Sequence, residues 1–165
     1  MRNREKNYVF IDSQNLNLAI RDCGWKLDFQ KLFIYLKHKY RVSKVYLFIG
    51  YLKKNKALYD KLKEIGYTII FKPTLEYNNC NKEKIKIKGN VDAELVLHCM
   101  LEYQNFDRAI IISGDGDFYC LIEQLQKDQK LLKVGIPNKF KYSALLKRFS
   151  DYFFFVNRLR KILKT

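Results

Sequence analysis

Asp115 and Asp117 stand one residue apart in Ser113-Gly114-Asp115-Gly116-Asp117-Phe118, directly after the apolar run Ala109-Ile110-Ile111-Ile112. Two further acids, Asp12 and Asp92, fall at the edges of other patterned segments. Two carboxylates about 5 Å apart repel by roughly 3 kcal/mol at an effective dielectric of about 20. A group of four is expected only where something offsets that repulsion. A divalent cation does so, and hard, oxygen-preferring Mg²⁺ or Mn²⁺ suits an all-carboxylate shell. Taken singly, each acid has an ordinary reading, because aspartate is common in turns and at helix N-termini, where the dipole favours it. Their coincidence on one edge of the fold is what points to chemistry. Gly114 and Gly116 let the backbone turn sharply and come close to a ligand. A helix opening near Asp117 turns its first amides toward a phosphate.

The elements that must position these acids follow from periodicity. Tyr8–Asp12, Lys44–Gly50, Tyr67–Phe71, Arg108–Ser113 and Leu131–Ile136 read as buried strands. Helical spacing covers 28–40, about 54–65 with Gly66 as a C-cap, 91–104 with Asn90 as N-cap, 117–128 and a short stretch at 140–148. A loop or hairpin spans about 72–89, and the apolar segment Tyr152–Val156 precedes a basic end. Strands that are near-continuous apolar runs, alternating with helices, predict an α/β fold whose mainly parallel sheet of five or six strands is covered on both faces. In such sheets ligands bind beyond the strand C-terminal ends, near the switch in strand order. If the first and fourth strands are neighbours there, all four aspartates meet on one edge.

Composition narrows the classes. The 165 residues suit one domain, assigned to 1–156 with a basic tail at 157–165. Charges interrupt every apolar run before the ~20 residues of a membrane span, and the N-terminal apolar stretch is too short for a signal peptide. The expected location is the cytoplasm. Cys23, Cys80, Cys99 and Cys120 are scattered without metal spacing, so free thiols are expected. The net charge of +15 suggests a polyanionic partner, nucleic acid before any other, although abundant Lys, Asn, Ile, Tyr and Phe also follow from AT-rich coding sequence.

Three segments resemble, in order, the signatures of the NYN domain in its LabA-like branch, within the PIN-like nuclease superfamily. They are Phe10-Ile-Asp12-Ser-Gln-Asn15-Leu, Lys88-Gly-Asn-Val-Asp92-Ala-Glu-Leu and Ser113-Gly-Asp115-Gly-Asp117-Phe. The resemblance runs from about residue 6 to 156. It implies a three-layer α/β/α PIN-like, Rossmann-like fold and metal-dependent ribonuclease chemistry with Mg²⁺ or Mn²⁺. Carried over position by position, it implies that Asp12, Asp92, Asp115 and Asp117 hold metal, that Asn15 is the polar residue after the first acid, and that Ser113 is the small hydroxyl residue before the second acidic pair. Ser13 stands where glycine is usual. His98 stands about where many members carry another acid; a lone helical histidine is more often structural, so it is left out of the catalytic set.

The lysines supply a complement. In Asn81-Lys82-Glu-Lys84-Ile-Lys86-Ile-Lys88-Gly89 they recur at every second residue, which in an extended segment sets four ammonium groups on one face leading to Asp92. Lys53 and Lys54 extend the patch, and Ser113 joins the expected substrate contacts. Tyr51 and Tyr77 are candidates for stacking on single-stranded bases. The expected partner is RNA, single-stranded or structured, with a homodimer also compatible and no membrane. The main rival is a non-catalytic RNA-binding or dimerising scaffold. HAD-like phosphatases share an acid pair after an apolar strand, but Phe118 replaces their Thr or Val and the pair falls late in the chain. Toprim enzymes carry a Glu where this chain has Asp12.

Overall fold

The computed structural model describes residues 5–72 and 91–165. The expected hairpin, its lysines Lys82, Lys84, Lys86 and Lys88, Tyr77, Cys80 and the Asn90 cap lie outside the described residues. The strands are β1 (Asn7–Asp12), β2 (Val42–Gly50), β3 (Thr68–Lys72), β4 (Arg108–Ile112), β5 (Leu131–Ile136) and β6 (Phe153–Phe155). The helices are α1 (Ser13–Asp22), α2 (Phe29–Tyr40), α3 (Lys56–Ile65), α4 (Val91–Leu101), α5 (Tyr119–Lys127) and α6 (Arg160–Leu163).

One sheet runs β3-β2-β1-β4-β5-β6, with every neighbouring pair parallel. From β1 the chain builds outward through β2 and β3, then returns to place β4 on the other side of β1. This is the switch in strand order that the sequence reading required. The connections after β1 and β4 leave in opposite directions there and open a cleft at the carboxyl ends.

Alternation along the central strands divides the core in two. Val9 and Ile11 of β1 pack with Leu16 and Ile20 of α1, Leu32 and Leu36 of α2, Leu62 of α3 and Leu163 of α6. Phe10 faces the other way, with Leu95 and Cys99 of α4 and Ile122 and Leu125 of α5. Both faces of the central strands are dry, which explains why those strands read as unbroken apolar runs rather than alternating ones. The result is a three-layer α/β/α architecture with a six-stranded sheet.

Gly66 ends α3 at φ 119°, in the left-handed region expected of a glycine cap. A Cβ there would sit 2.7 Å from the Phe33 ring, so conformation and packing both demand glycine. α1, which the sequence periodicity does not predict, turns only Ser13, Leu16 and Ile20 inward. The segment expected as a helix at 140–148 is instead a loop to Ser143 followed by a 3-10 helix at Ala144–Tyr152. Residues 157–165 fold back onto the sheet layers: Leu163 is fully buried and Lys164 bridges Leu27 in antiparallel fashion. No helix among the described residues is long and apolar enough to cross a membrane. Cys23, Cys99 and Cys120 are free thiols.

Candidate active site

Asp12 is the last residue of β1 and the N-cap of α1. Its Oδ1 accepts the Asn15 N–H at 3.1 Å, filling one of the orphan donors of the helix start. Its Oδ2 accepts from the Ser113 hydroxyl at 3.3 Å, across the β1–β4 seam. The same hydroxyl accepts the Asp115 N–H at 3.1 Å. Ser113 is buried and engaged on both sides. Its two hydrogen bonds tie the two halves of the acid group together.

The Ser113–Asp117 turn is closed by its own side chains. Asp115 caps the short 3-10 turn Gly116–Phe118 by accepting the Asp117 N–H at 2.9 Å. Asn15 reaches across from α1, and its Oδ1 accepts the Gly114 N–H at 2.8 Å. Beneath the turn, the Ser143 N–H donates to the Gly114 carbonyl at 3.0 Å. A side chain at Gly116 would collide with the Ser143 hydroxyl. The close approach of two loops is what both glycines permit.

Asp92 enters from the first turn of α4. One carboxylate oxygen each from Asp92, Asp115 and Asp117 lies within 4.8 Å of the others. Burial, then the charges of Asp115, Asp12 and Asp117, push the Asp92 carboxyl up to about 6. Asp12 is also raised, mainly by burial, with the hydrogen bonds from Asn15 and Ser113 opposing. Four expected acids thus divide into three clustered carboxylates and one deeper acid whose oxygens are already held. A cleft of about 260 Å³ opens over them, lined by Asp12, Gln14, Asn15, Leu18, Val91, Asp92 and Asp115.

The donor set fits a hard divalent cation. An octahedral shell with ~2.1 Å bonds places its ligand atoms roughly 3 to 4 Å apart. Small carboxylate rotations bring a trio now within 4.8 Å to that spacing. His98 Nε2 lies 3.8 Å from Glu94 Oε2 one turn away on α4, and its ring packs on Phe48 at 5.7 Å, a structural placement. Lys53 and Lys54 are exposed on the turn that follows β2, at the carboxyl edge of the sheet. Tyr51 packs its ring edge-on against Phe71 and near Tyr59.

Comparison with known proteins agrees with this architecture. The protein called low amplitude and bright protein LabA, from Synechococcus elongatus, is 25% identical over 161 residues, covering 94% of this chain and 86% of its own. A crystal structure of a Vibrio parahaemolyticus protein of unknown function superposes with a TM-score of 0.75 at 22% identity, over 94% of this chain and 95% of the other. The sequence profile of the NYN domain matches residues 6–157, nearly the whole chain. On that match, the chain belongs to the NYN domain family, within the PIN-like nuclease superfamily.

Proposed function

We propose that this protein is a metal-dependent ribonuclease that hydrolyses RNA phosphodiester bonds at the carboxyl edge of its sheet. The observation that carries the reading is the clustering of Asp92, Asp115 and Asp117 at a strand switch point, with the Asp92 carboxyl pushed up to about 6 by burial and by its neighbours' charge. A scaffold has no use for mutually repelling carboxylates in a cleft.

Asp92, Asp115 and Asp117 would hold Mg²⁺ or Mn²⁺. When bound, such a cation supplies an acidified water for attack and offsets charge building on the phosphate. The chain's own contribution is to fix the ligands. Asp12 anchors Ser113 and the first turn of α1, Ser113 anchors the Asp115 backbone, and Asn15 pins Gly114. Gln14 and Asn15 line the cleft and orient a phosphate oxygen or the attacking water. Lys53 and Lys54, together with Lys82, Lys84, Lys86 and Lys88, bind backbone phosphates and make affinity salt-dependent rather than sequence-specific. The expected setting is the cytoplasm.

The test is incubation of the protein with single-stranded RNA, structured RNA and DNA, in Mg²⁺, Mn²⁺ or EDTA, beside Asp115→Asn. The reading predicts RNA cleavage that needs the cation and the acid. Tight RNA retention without cleavage in either metal would favour the scaffold.

A further inference from the structure

Phe140 is the most exposed large apolar side chain among the described residues, at 80%. It sits in Pro137–Ser143, the loop that leaves the carboxyl end of β5 and packs under the acid turn. The Ser143 N–H bonds the Gly114 carbonyl at 3.0 Å. A Cβ on Gly114 would lie 3.3 Å from Tyr142 Cβ. Two peptide units separate Tyr142 from Phe140, so their Cα atoms are within about 8 Å. Phe140 therefore stands on the loop that packs against the acid turn, two residues before the Tyr142 contact.

The loop is built to hold the ring there. Asn138 is buried, its Oδ1 accepts the Phe140 N–H at 2.9 Å, and its carbonyl accepts the Lys141 N–H at 3.2 Å. The Lys139 N–H donates to Asn157 Oδ1 at 3.2 Å, and the Asn157 N–H donates to the Pro137 carbonyl at 3.0 Å. Each residue of Pro137–Lys141 has a backbone or side-chain tie, yet the phenyl group is left in water. Lys139 Nζ lies 4.5 Å from the ring centroid. Lys141 Nζ is 3.3 Å from Asp22 Oδ2, but both side chains are largely exposed, so the pair is weak and yields to a phosphate.

We infer that Phe140 is a stacking platform for an unpaired base of the nucleic-acid substrate, with Lys139 and Lys141 contacting the phosphates that flank it. An exposed aromatic between two lysines on a rigid loop is the combination that single-strand binding uses, where bases stack and ammonium groups follow the backbone. A protein–protein contact is disfavoured, since lysine is depleted from interface cores. The inference rests on the reading of the acid edge as a nucleic-acid site, and it narrows the substrate to RNA with at least one unpaired base near the cut.

The test is fluorescence anisotropy in EDTA, which suppresses metal-dependent cleavage. The probes are a labelled single-stranded 12-mer RNA and the blunt duplex of the same sequence. Phe140→Ala is expected to weaken single-strand binding about five- to a hundredfold and to leave duplex affinity unchanged, with Phe140→Trp near wild type. Lys139→Ala and Lys141→Ala are each expected to lower the salt slope by about one. Unchanged melting temperatures establish that the variants are folded. Single-strand affinity equal to wild type in Phe140→Ala overturns the inference, as does equal weakening on the duplex or a wild type that binds neither probe. Loss of a dimer at unchanged RNA affinity also overturns it, because the ring would then serve self-contact. A parallel Mn²⁺ cleavage assay separates the two readings. Cleavage with an indifferent Phe140→Ala sinks only the platform, and platform-dependent binding without cleavage sinks only the nuclease.

Discussion

Asn15 Oδ1 accepts the Gly114 N–H at 2.8 Å, joining the first turn of α1 to the turn after β4 across 99 positions of sequence. This bond fixes the two halves of the acid group relative to each other. Asn15→Ala leaves a part-buried amide unpaired, and a loss of about 1–3 kcal/mol is expected in denaturant unfolding. Cation affinity should fall about tenfold or more, as for other groups that orient ligands. Asn15→Asp keeps an acceptor but adds a charge, so its stability should be low in EDTA and recover in Mn²⁺.

The raised Asp92 carboxyl makes metal-free stability depend on pH in a defined direction. Its ordinary value is 3.8, and in the folded chain it stands at about 6. Between these values the folded state binds more proton than the unfolded, so stability is greatest at the acid end and falls as pH rises through the window. Above about 6 this contribution is flat. Asp92→Asn should make the slope shallower, leaving the part due to the raised Asp12 carboxyl, and raise the metal-free melting temperature at pH 7. A melting-temperature profile with the same slope in the variant would contradict the assigned cause.

Two serines at the site should respond oppositely to loss of the hydroxyl. Ser113→Ala unpairs an Asp12 oxygen and the Asp115 N–H together, and a cost of about 2–3 kcal/mol is expected. Ser13 is just as buried, yet its Oγ has no hydrogen-bond partner among the described residues. Ser13→Ala removes an unsatisfied polar atom and should be neutral or stabilising by up to about 1 kcal/mol. Chemical denaturation of both variants decides the contrast.

The C-terminal segment should matter to folding. Leu163 is fully buried between layers, and the Asp28 N–H donates to its carbonyl at 2.9 Å. Leu163→Ala is expected to cost about 2–5 kcal/mol, whereas Ile162→Ala, at 54% exposed, should cost little. A free basic tail would show no difference between them.

Much of this was legible because the sheet is buried on both faces. Ile110–Ile112 and Val45–Phe48 have no polar residue to interrupt them, so strand positions stand out, and the strand-end acids mark the edge where ligands bind. What escaped notice was held by tertiary contact. α1 buries a short stripe in a polar segment, Ser-Gln-Asn-Leu-Asn-Leu, whose periodicity is too sparse to register. The loop that presents Phe140 resembled a helix because Phe140, Ala144 and Leu145 fall at helical spacing, but Asn138 captures the backbone in a turn first. The separation of Asp12 from the other three acids depended on Ser113 and the Asn15 N–H occupying its oxygens, which spacing does not reveal.

The account's central claim is tested most directly by single-turnover cleavage of an end-labelled single-stranded RNA, measured against Mn²⁺ or Mg²⁺ concentration for wild type and Asp115→Asn. The predicted result is a rate that saturates with cation, vanishes in EDTA and falls at least about a hundredfold in the variant. Cleavage that persists in EDTA, or an Asp115→Asn rate equal to wild type, would contradict it.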